Sequence, residues 1–166
     1  MPAADPKDTL AAGAIPARWR LAVLLGGAVV LLAGLGRSPT HLNAEERCES
    51  IVRSMVETSD WLMPRLGGAP RVNKPPLFYW LSSLSCRACR GFSPWAFRLP
   101  SAIAAIGLLL LLFAWGRELE APREALIAAA LLVLTYGFVS EGRRGEFEML
   151  LAFFCAQVSI HADVVL

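Results

Sequence analysis

A lysine set beside two prolines and followed at once by an aromatic cluster is the stretch of this chain best suited to chemistry: Lys74-Pro75-Pro76-Leu77-Phe78-Tyr79-Trp80-Leu81. Each proline fixes its own φ and pushes the residue before it toward extended geometry, so Lys74 sits on a stiff segment. Phe78, Tyr79 and Trp80 are side chains that favour the membrane–water boundary. A cation held rigidly at that boundary suits a phosphate-bearing lipid, although an ordinary lysine reaching for the interface gives the same local pattern. A second constellation is Glu141-Gly142-Arg143-Arg144-Gly145-Glu146-Phe147-Glu148-Met149-Leu150-Leu151. Paired arginines can form several charge-assisted bonds to a phosphate, or they can anchor a helix end among headgroups. The third is the acidic pair Glu45 and Glu46. Adjacent carboxylates are where acid–base chemistry would be expected, or they can simply stabilise the start of a helix.

These residues need elements to hold them. Cys48, Ile51, Val52, Met55 and Val56 recur at helical spacing between Ala44 and Ser59, with Glu45, Glu46, Glu49, Arg53 and Glu57 between them. That is an amphipathic helix suited to lying in the interface. Asn43 is its N-cap, with Glu46 three residues on as in a capping box. A second short helix is expected after Pro76, carrying Phe78 to Leu84, and Pro100 suits the first turn of the helix that follows.

The rest of the chain reads as membrane. Hydrophobic residues make up 55% and charged residues 18%, against a soluble level of roughly 45–50% apolar. Uncharged runs cover Leu21–Gly36, Leu99–Gly116 and Ala125–Ser140, and a fourth starts at Met149 and is interrupted by Asp163. A spanning helix needs about 20 mostly apolar residues. The expected architecture is therefore all-α, with polytopic transmembrane helices at about 19–37, 98–116, 123–140 and 148–166. A loop over 38–97 would carry the interfacial helices, and residues 1–17 read as a disordered tail rich in Ala, Pro and Asp. The first run also has the outline of a signal peptide, with Arg18 and Arg20 before it and Gly34-Leu35-Gly36 after it. The pairs Gly26/Gly27 and Gly34/Gly36 suggest close helix packing instead.

A net charge of +2 is too small to argue for nucleic acid. All the basic residues except Lys7 and Lys74 are arginine, which favours bidentate contact with phosphate. Cys86-Arg87-Ala88-Cys89 has CxxC spacing, but no second pair completes a zinc site. Cys48 and Cys155 read as packing residues, His161 as a helix-packing residue, and His41 lacks metal partners. No phosphate-cradling glycine loop and no Ser-His-Asp pattern is present, so the sequence itself assigns no metal site.

Taken in order, these motifs resemble the first external loop of the GT-C membrane glycosyltransferases that use lipid-linked sugars, among them protein O-mannosyltransferases and the aminoarabinose transferases of lipid A. The stretch Ser59-Asp60-Trp61-Leu62-Met63-Pro64-Arg65-Leu66-Gly67-Gly68-Ala69-Pro70, then Lys74 to Leu81, then Phe97-Arg98-Leu99-Pro100-Ser101 follows the family order. The likeness covers about residues 37–160. The departures fall at the chemistry. Alignment through Arg47, Ile51, Arg53 and Met55 puts Ala44 on the family's proposed catalytic aspartate and Glu45 on its neighbouring glutamate. Asn73 replaces a glutamate before Lys-Pro-Pro, and Glu148 replaces an aspartate.

The resemblance implies transfer of a sugar from a polyprenyl-phosphate-linked donor to a lipid, glycan or protein acceptor, by an enzyme of the plasma membrane acting at its outer face. Glu45 or Glu46 would supply the carboxylate, and Lys74, Tyr79, Arg143, Arg144 and Glu148 would surround the donor phosphate. The cofactor stays open, a divalent metal included, and membrane lipids are the other expected partners. The tail would be cytoplasmic and loop 38–97 outside, although arginine counting disagrees. Such enzymes carry many more spans, so the length reads as an N-terminal fragment or truncated product, inactive alone. The alternative is a small non-catalytic or degenerate membrane protein that binds lipid phosphate or a membrane partner.

Overall fold

The computed structural model describes residues 16–37, 43–71 and 74–165, without side-chain positions for residues 43 and 161–165. Residues 1–15 of the tail, His41 and Asn73, and the side chains of Asn43 and His161, lie outside the described residues. The elements are α1 (Ala17–Leu32), α2 (Asn43–Thr58), a two-residue hairpin β1 (Arg65–Leu66) and β2 (Ala69–Pro70), α3 (Leu77–Ala88), α4 (Pro94–Glu118), α5 (Pro122–Leu134), α6 (Tyr136–Gly142) and α7 (Glu148–Val165). The fold is all-α apart from that hairpin, whose turn is made by Gly67 and Gly68 at φ 58° and 84°. Two consecutive positive φ values suit the twist of a tight hairpin and call for glycine.

The long helix α4 is the axis against which α1, α3, α5, α6 and α7 pack. Its start is fixed by Ser93, whose side chain accepts the Ala96 N–H at 3.3 Å, and by Pro94 in the first turn. The helix therefore begins ahead of Arg98, and Pro100 falls inside it rather than in its first turn. Small residues make the close contacts: Ala102, Ala104, Ala105, Ala125 and Ala129 are buried. A Cβ on Gly27 would stand 2.9 Å from Leu109 Cδ1, and one on Gly142 would stand 2.7 Å from Leu31 Cδ2. Small residues bring helices together where lipid removes the hydrophobic incentive. The large apolar side chains point outward instead, among them Leu25, Val29, Ile103, Leu110, Ile127, Leu131 and Leu151.

Among the described residues α4 is the one continuous helix long and apolar enough to cross a membrane. Two expected spans differ in form. Over 19–37 the helix stops at Leu32, because Ala33 is extended and Gly34 turns left-handed at φ 67°. Over 123–140 the helix breaks at Thr135, with α5 and α6 bent by 71°. There the Thr135 hydroxyl donates to the Leu131 carbonyl at 2.9 Å while its N–H turns to Leu132. A side-chain hydroxyl thus takes the carbonyl that the helical ladder would have used.

The predicted amphipathic helix forms as α2, with Cys48, Ile51, Val52 and Met55 buried against α3. The segment between them is pinned at several points. Asp60 Oδ1 accepts the Leu62 N–H, Trp80 Nε1 donates to the Trp61 carbonyl at 2.8 Å, and Arg71 N–H donates to the Pro64 carbonyl at 2.8 Å.

Candidate functional site

Ala44, Arg47 and Cys48 stand at i, i+3 and i+4, on one face of α2. That face forms a wall of a cavity of about 200 Å³. Arg71 enters where the hairpin closes and Lys74 where the chain turns toward α3. Tyr79 of α3 is part of the wall, and Phe147 and Glu148 complete it from the start of α7. Three cations therefore face one small space, and none of the three makes an ion pair among the described residues. Lys74 Nζ instead lies 4.1 Å from the centroid of the Phe147 ring, a cation–π contact that orients the ammonium while leaving its charge unneutralised.

Tyr79 and Cys48 are both buried, side by side in the cavity wall. Burial, reinforced by Cys48, pushes the Tyr79 phenol up to about 12. Burial and then Glu146 push the Cys48 thiol up to about 11. Both stay protonated at neutral pH, so Tyr79 is a hydrogen-bond partner and Cys48 is not a nucleophile.

The expected site residues separate into three groups. Lys74, Tyr79 and Glu148 come together at the cavity. Glu45, next to the cavity-lining Ala44, turns inward. Its Oε1 accepts Arg98 Nε at 2.7 Å and the Gly145 N–H at 2.8 Å, and both side chains of the ion pair are buried. Arg98 also donates to the Leu35 carbonyl at 2.8 Å, so the pair joins the turn after α1, the start of α2, α4 and the segment before α7. Glu46 is exposed and does not line the cavity. Arg143 donates to the Val30 carbonyl at the end of α1, and Arg144 pairs with Glu141 at 2.6 Å; neither lines the cavity.

Sequence reasoning did not single out Arg71, the pairing of Arg98, or Glu146. The i, i+3, i+4 spacing of Ala44, Arg47 and Cys48 was a readable signal for Arg47. The other three depend on contacts distant in sequence. A larger void of about 470 Å³ between α3, α4 and α7 is apolar, with Ser85 its polar lining residue, and offers nothing that could do chemistry. No group of three or more His, Cys, Asp or Glu side chains among the described residues can hold a metal ion.

The fold is shared with a solved structure, that of ArnT from Cupriavidus metallidurans in the apo state. The two match with a TM-score of 0.76 and 21% identity, over 87% of this chain and 27% of that one. Among curated proteins, the undecaprenyl phosphate-alpha-4-amino-4-deoxy-L-arabinose arabinosyl transferase of Pseudomonas savastanoi pv. phaseolicola is 32% identical over 126 residues, 74% of this chain and 23% of that protein. Its namesake from Aeromonas salmonicida is 35% identical over 111 residues, 64% of this chain and 20% of that protein. The chain thus spans about a fifth to a quarter of the length of these curated relatives. Residues 73–161, more than half of the chain, match the family model described as dolichyl-phosphate-mannose-protein mannosyltransferase. They run from the residue before Lys74 through the second half of the cavity wall, and the chain belongs to that family.

Proposed function

We propose that this chain holds the phosphate of a polyprenyl-phosphate-linked sugar in the cavity between α2, α3 and α7, for transfer of that sugar to an acceptor hydroxyl at the outer face of the plasma membrane. The observation that carries the reading is the convergence of Arg47, Arg71 and Lys74 on one cavity of about 200 Å³ without a neutralising ion pair among the described residues. Positive charge fixed in advance stabilises a departing phosphate more than mobile charge does, because nothing must reorganise as the bond breaks. The aromatic cluster, the exposed apolar faces of α1, α4 and α5, and the relatives' use of undecaprenyl phosphate support the lipid as donor. In this reading the helices cross the membrane at four places, and residues 38–97 lie on the outer surface.

The displacement at the anomeric carbon needs a carboxylate near the acceptor. Glu45 is committed to Arg98 and Gly145, so its role is positional. Glu148 is the carboxylate in the wall, and Tyr79 offers a hydroxyl that stays protonated. Glu46, exposed just before Arg47, is the other carboxylate on the α2 side. The Ala44 methyl, which contributes no carboxylate to the wall, favours a second reading in which the chain binds lipid phosphate without transferring sugar.

The test is binding in detergent micelles. A charge-assisted bond contributes roughly 1.5–3 kcal/mol, so Lys74→Ala and Arg47→Ala should each weaken undecaprenyl phosphate binding by about 10- to 150-fold. Uncharged polyprenol should bind poorly to all three proteins. Equal binding of polyprenol, or unchanged affinity in both variants, would reject the phosphate site.

A further inference from the structure

The break at Thr135 opens a second cavity. Where α5 and α6 bend by 71°, a space of about 430 Å³ is left between them, α4 and α7. Leu108, Leu132, Phe138 and Met149 make most of its wall apolar. The polar side chains in that wall are Thr135, Glu141 and Glu148. Two of them are engaged elsewhere: the Thr135 hydroxyl donates to the Leu131 carbonyl at 2.9 Å, and Glu141 pairs with Arg144 at 2.6 Å. Glu148 makes no ion pair among the described residues, and it lines this cavity and the cationic one alike. One carboxylate is thus wall to two cavities of opposite character. Gly137 also lines the apolar one, and a Cβ there would meet nothing within 4 Å. Leu134 and Tyr136, on either side of the break, are 80% and 82% exposed, so the apolar wall runs on into the exposed face of α5.

We propose that this second cavity binds a membrane lipid that carries a free hydroxyl, its apolar body against Leu108, Leu132, Phe138 and Met149 and its hydroxyl donating to Glu148. The occupant follows from the wall. An apolar cavity with one or two convergent polar groups takes an apolar ligand and fixes its orientation through those groups. A carboxylate accepts hydrogen bonds and donates none, so the ligand's head must donate. A phosphate head would meet like charge from Glu148 here, whereas three cations receive it in the cavity on the other side. The source is the bilayer, because the cavity lies in a bent, apolar helix pair and continues onto exposed Leu134 and Tyr136. A water-soluble alcohol would gain nothing from the apolar wall. In the sugar-transfer reading such a lipid is the acceptor, since its hydroxyl and the donor phosphate would then stand on the two sides of one carboxylate. That role rests on the reading above; the lipid site itself does not.

The test uses the purified chain in phosphatidylcholine nanodiscs, whose lipid has no free hydroxyl. The probe is a long-chain fatty alcohol with a photoreactive group beside its hydroxyl. Saturable adducts are expected on residues 135–141 and 148–152. The methyl ether of the alcohol, which cannot donate, should compete about tenfold or more weakly than the unlabelled alcohol, as loss of a hydrogen bond to a charged group implies. Glu148→Leu should abolish that preference. Gly137→Phe, which directs a ring into the open space, should suppress the labelling. Equal competition by ether and alcohol, an unchanged preference in Glu148→Leu, or labelling that survives Gly137→Phe would overturn the site. So would unsaturable adducts spread along the exposed faces of α1 and α4. A dimer in native mass spectrometry that Gly137→Phe dissociates would give the cavity to a second copy and overturn it as well. Loss of undecaprenyl phosphate binding in Lys74→Ala would leave the alcohol's labelling in place, so the two readings fail separately.

Discussion

Replacing Arg98 by alanine is expected to cost about 3–5 kcal/mol of stability, because it leaves the Glu45 carboxylate buried without its counter-charge. Both side chains of the pair are almost fully buried, with Nε and Oε1 2.7 Å apart. Arg98 also holds the Leu35 carbonyl and Glu45 also holds the Gly145 N–H, so the loss propagates to the turn after α1 and to the segment before α7. Against a total stability of roughly 5–15 kcal/mol, this is enough to populate the unfolded state. Glu45→Ala should be comparably damaging. The double variant should recover part of the loss, since it removes both charges together. Thermal unfolding followed by circular dichroism in micelles separates the outcomes. Single variants that melt with the wild type would mean that the pair does not hold the fold together. The same experiment bears on catalysis, because a Glu45 devoted to Arg98 explains lost activity in its variants without any proton transfer.

The second large effect is expected at Gly145. A Cβ there would lie 2.7 Å from Phe97 Cδ1 and closer still to Cε1 and Cζ. Phe97 has no room to yield. It is fully buried, meets Phe78 edge-to-face at 5.9 Å between centroids, and its carbonyl receives Ser82 Oγ at 2.9 Å. The segment must move instead, and that pulls the Gly145 N–H from Glu45. Overpacking typically costs 1–3 kcal/mol, and Gly145→Ala should reach the top of that range, about 3 kcal/mol. For a chain of this size that is a fall in melting temperature of roughly 6–12 °C. Gly137, which has nothing within 4 Å of its Cβ position, is the comparison site, and Gly137→Ala should leave packing undisturbed.

The elements that hold the cavity were largely legible in the sequence. The apolar spacing of Cys48, Ile51, Val52 and Met55 sufficed to place α2 and its buried face, since helical period and burial are the same constraint. The prolines before Leu77 marked the start of α3. Ser93-Pro94 was a readable cap for α4, yet Pro100 attracted the assignment because proline so often opens a helix. The break at Thr135 was not legible: no proline or charge marks it within the run, and a hydroxyl turned onto the Leu131 carbonyl accompanies it. The partner of Glu45 could not be read locally either, because Arg98 lies 53 residues away. The same holds for Glu146, whose burial depends on α2, α4 and α6 closing around a segment that is mostly polar by composition.

The central claim is that a lipid phosphate sits between Arg47, Arg71 and Lys74. The most direct measurement is photolabelling of the purified chain in micelles. The probe is an undecaprenyl phosphate analogue with a photoreactive group next to its phosphate, and the modified peptides are located by mass spectrometry. The account predicts adducts on residues 44–48, 71–79 and 147–148, displaced by unlabelled undecaprenyl phosphate and strongly reduced in Lys74→Ala. Adducts concentrated at Arg143 and Arg144, or spread along the exposed apolar faces of α1 and α5 and indifferent to Lys74, would contradict it.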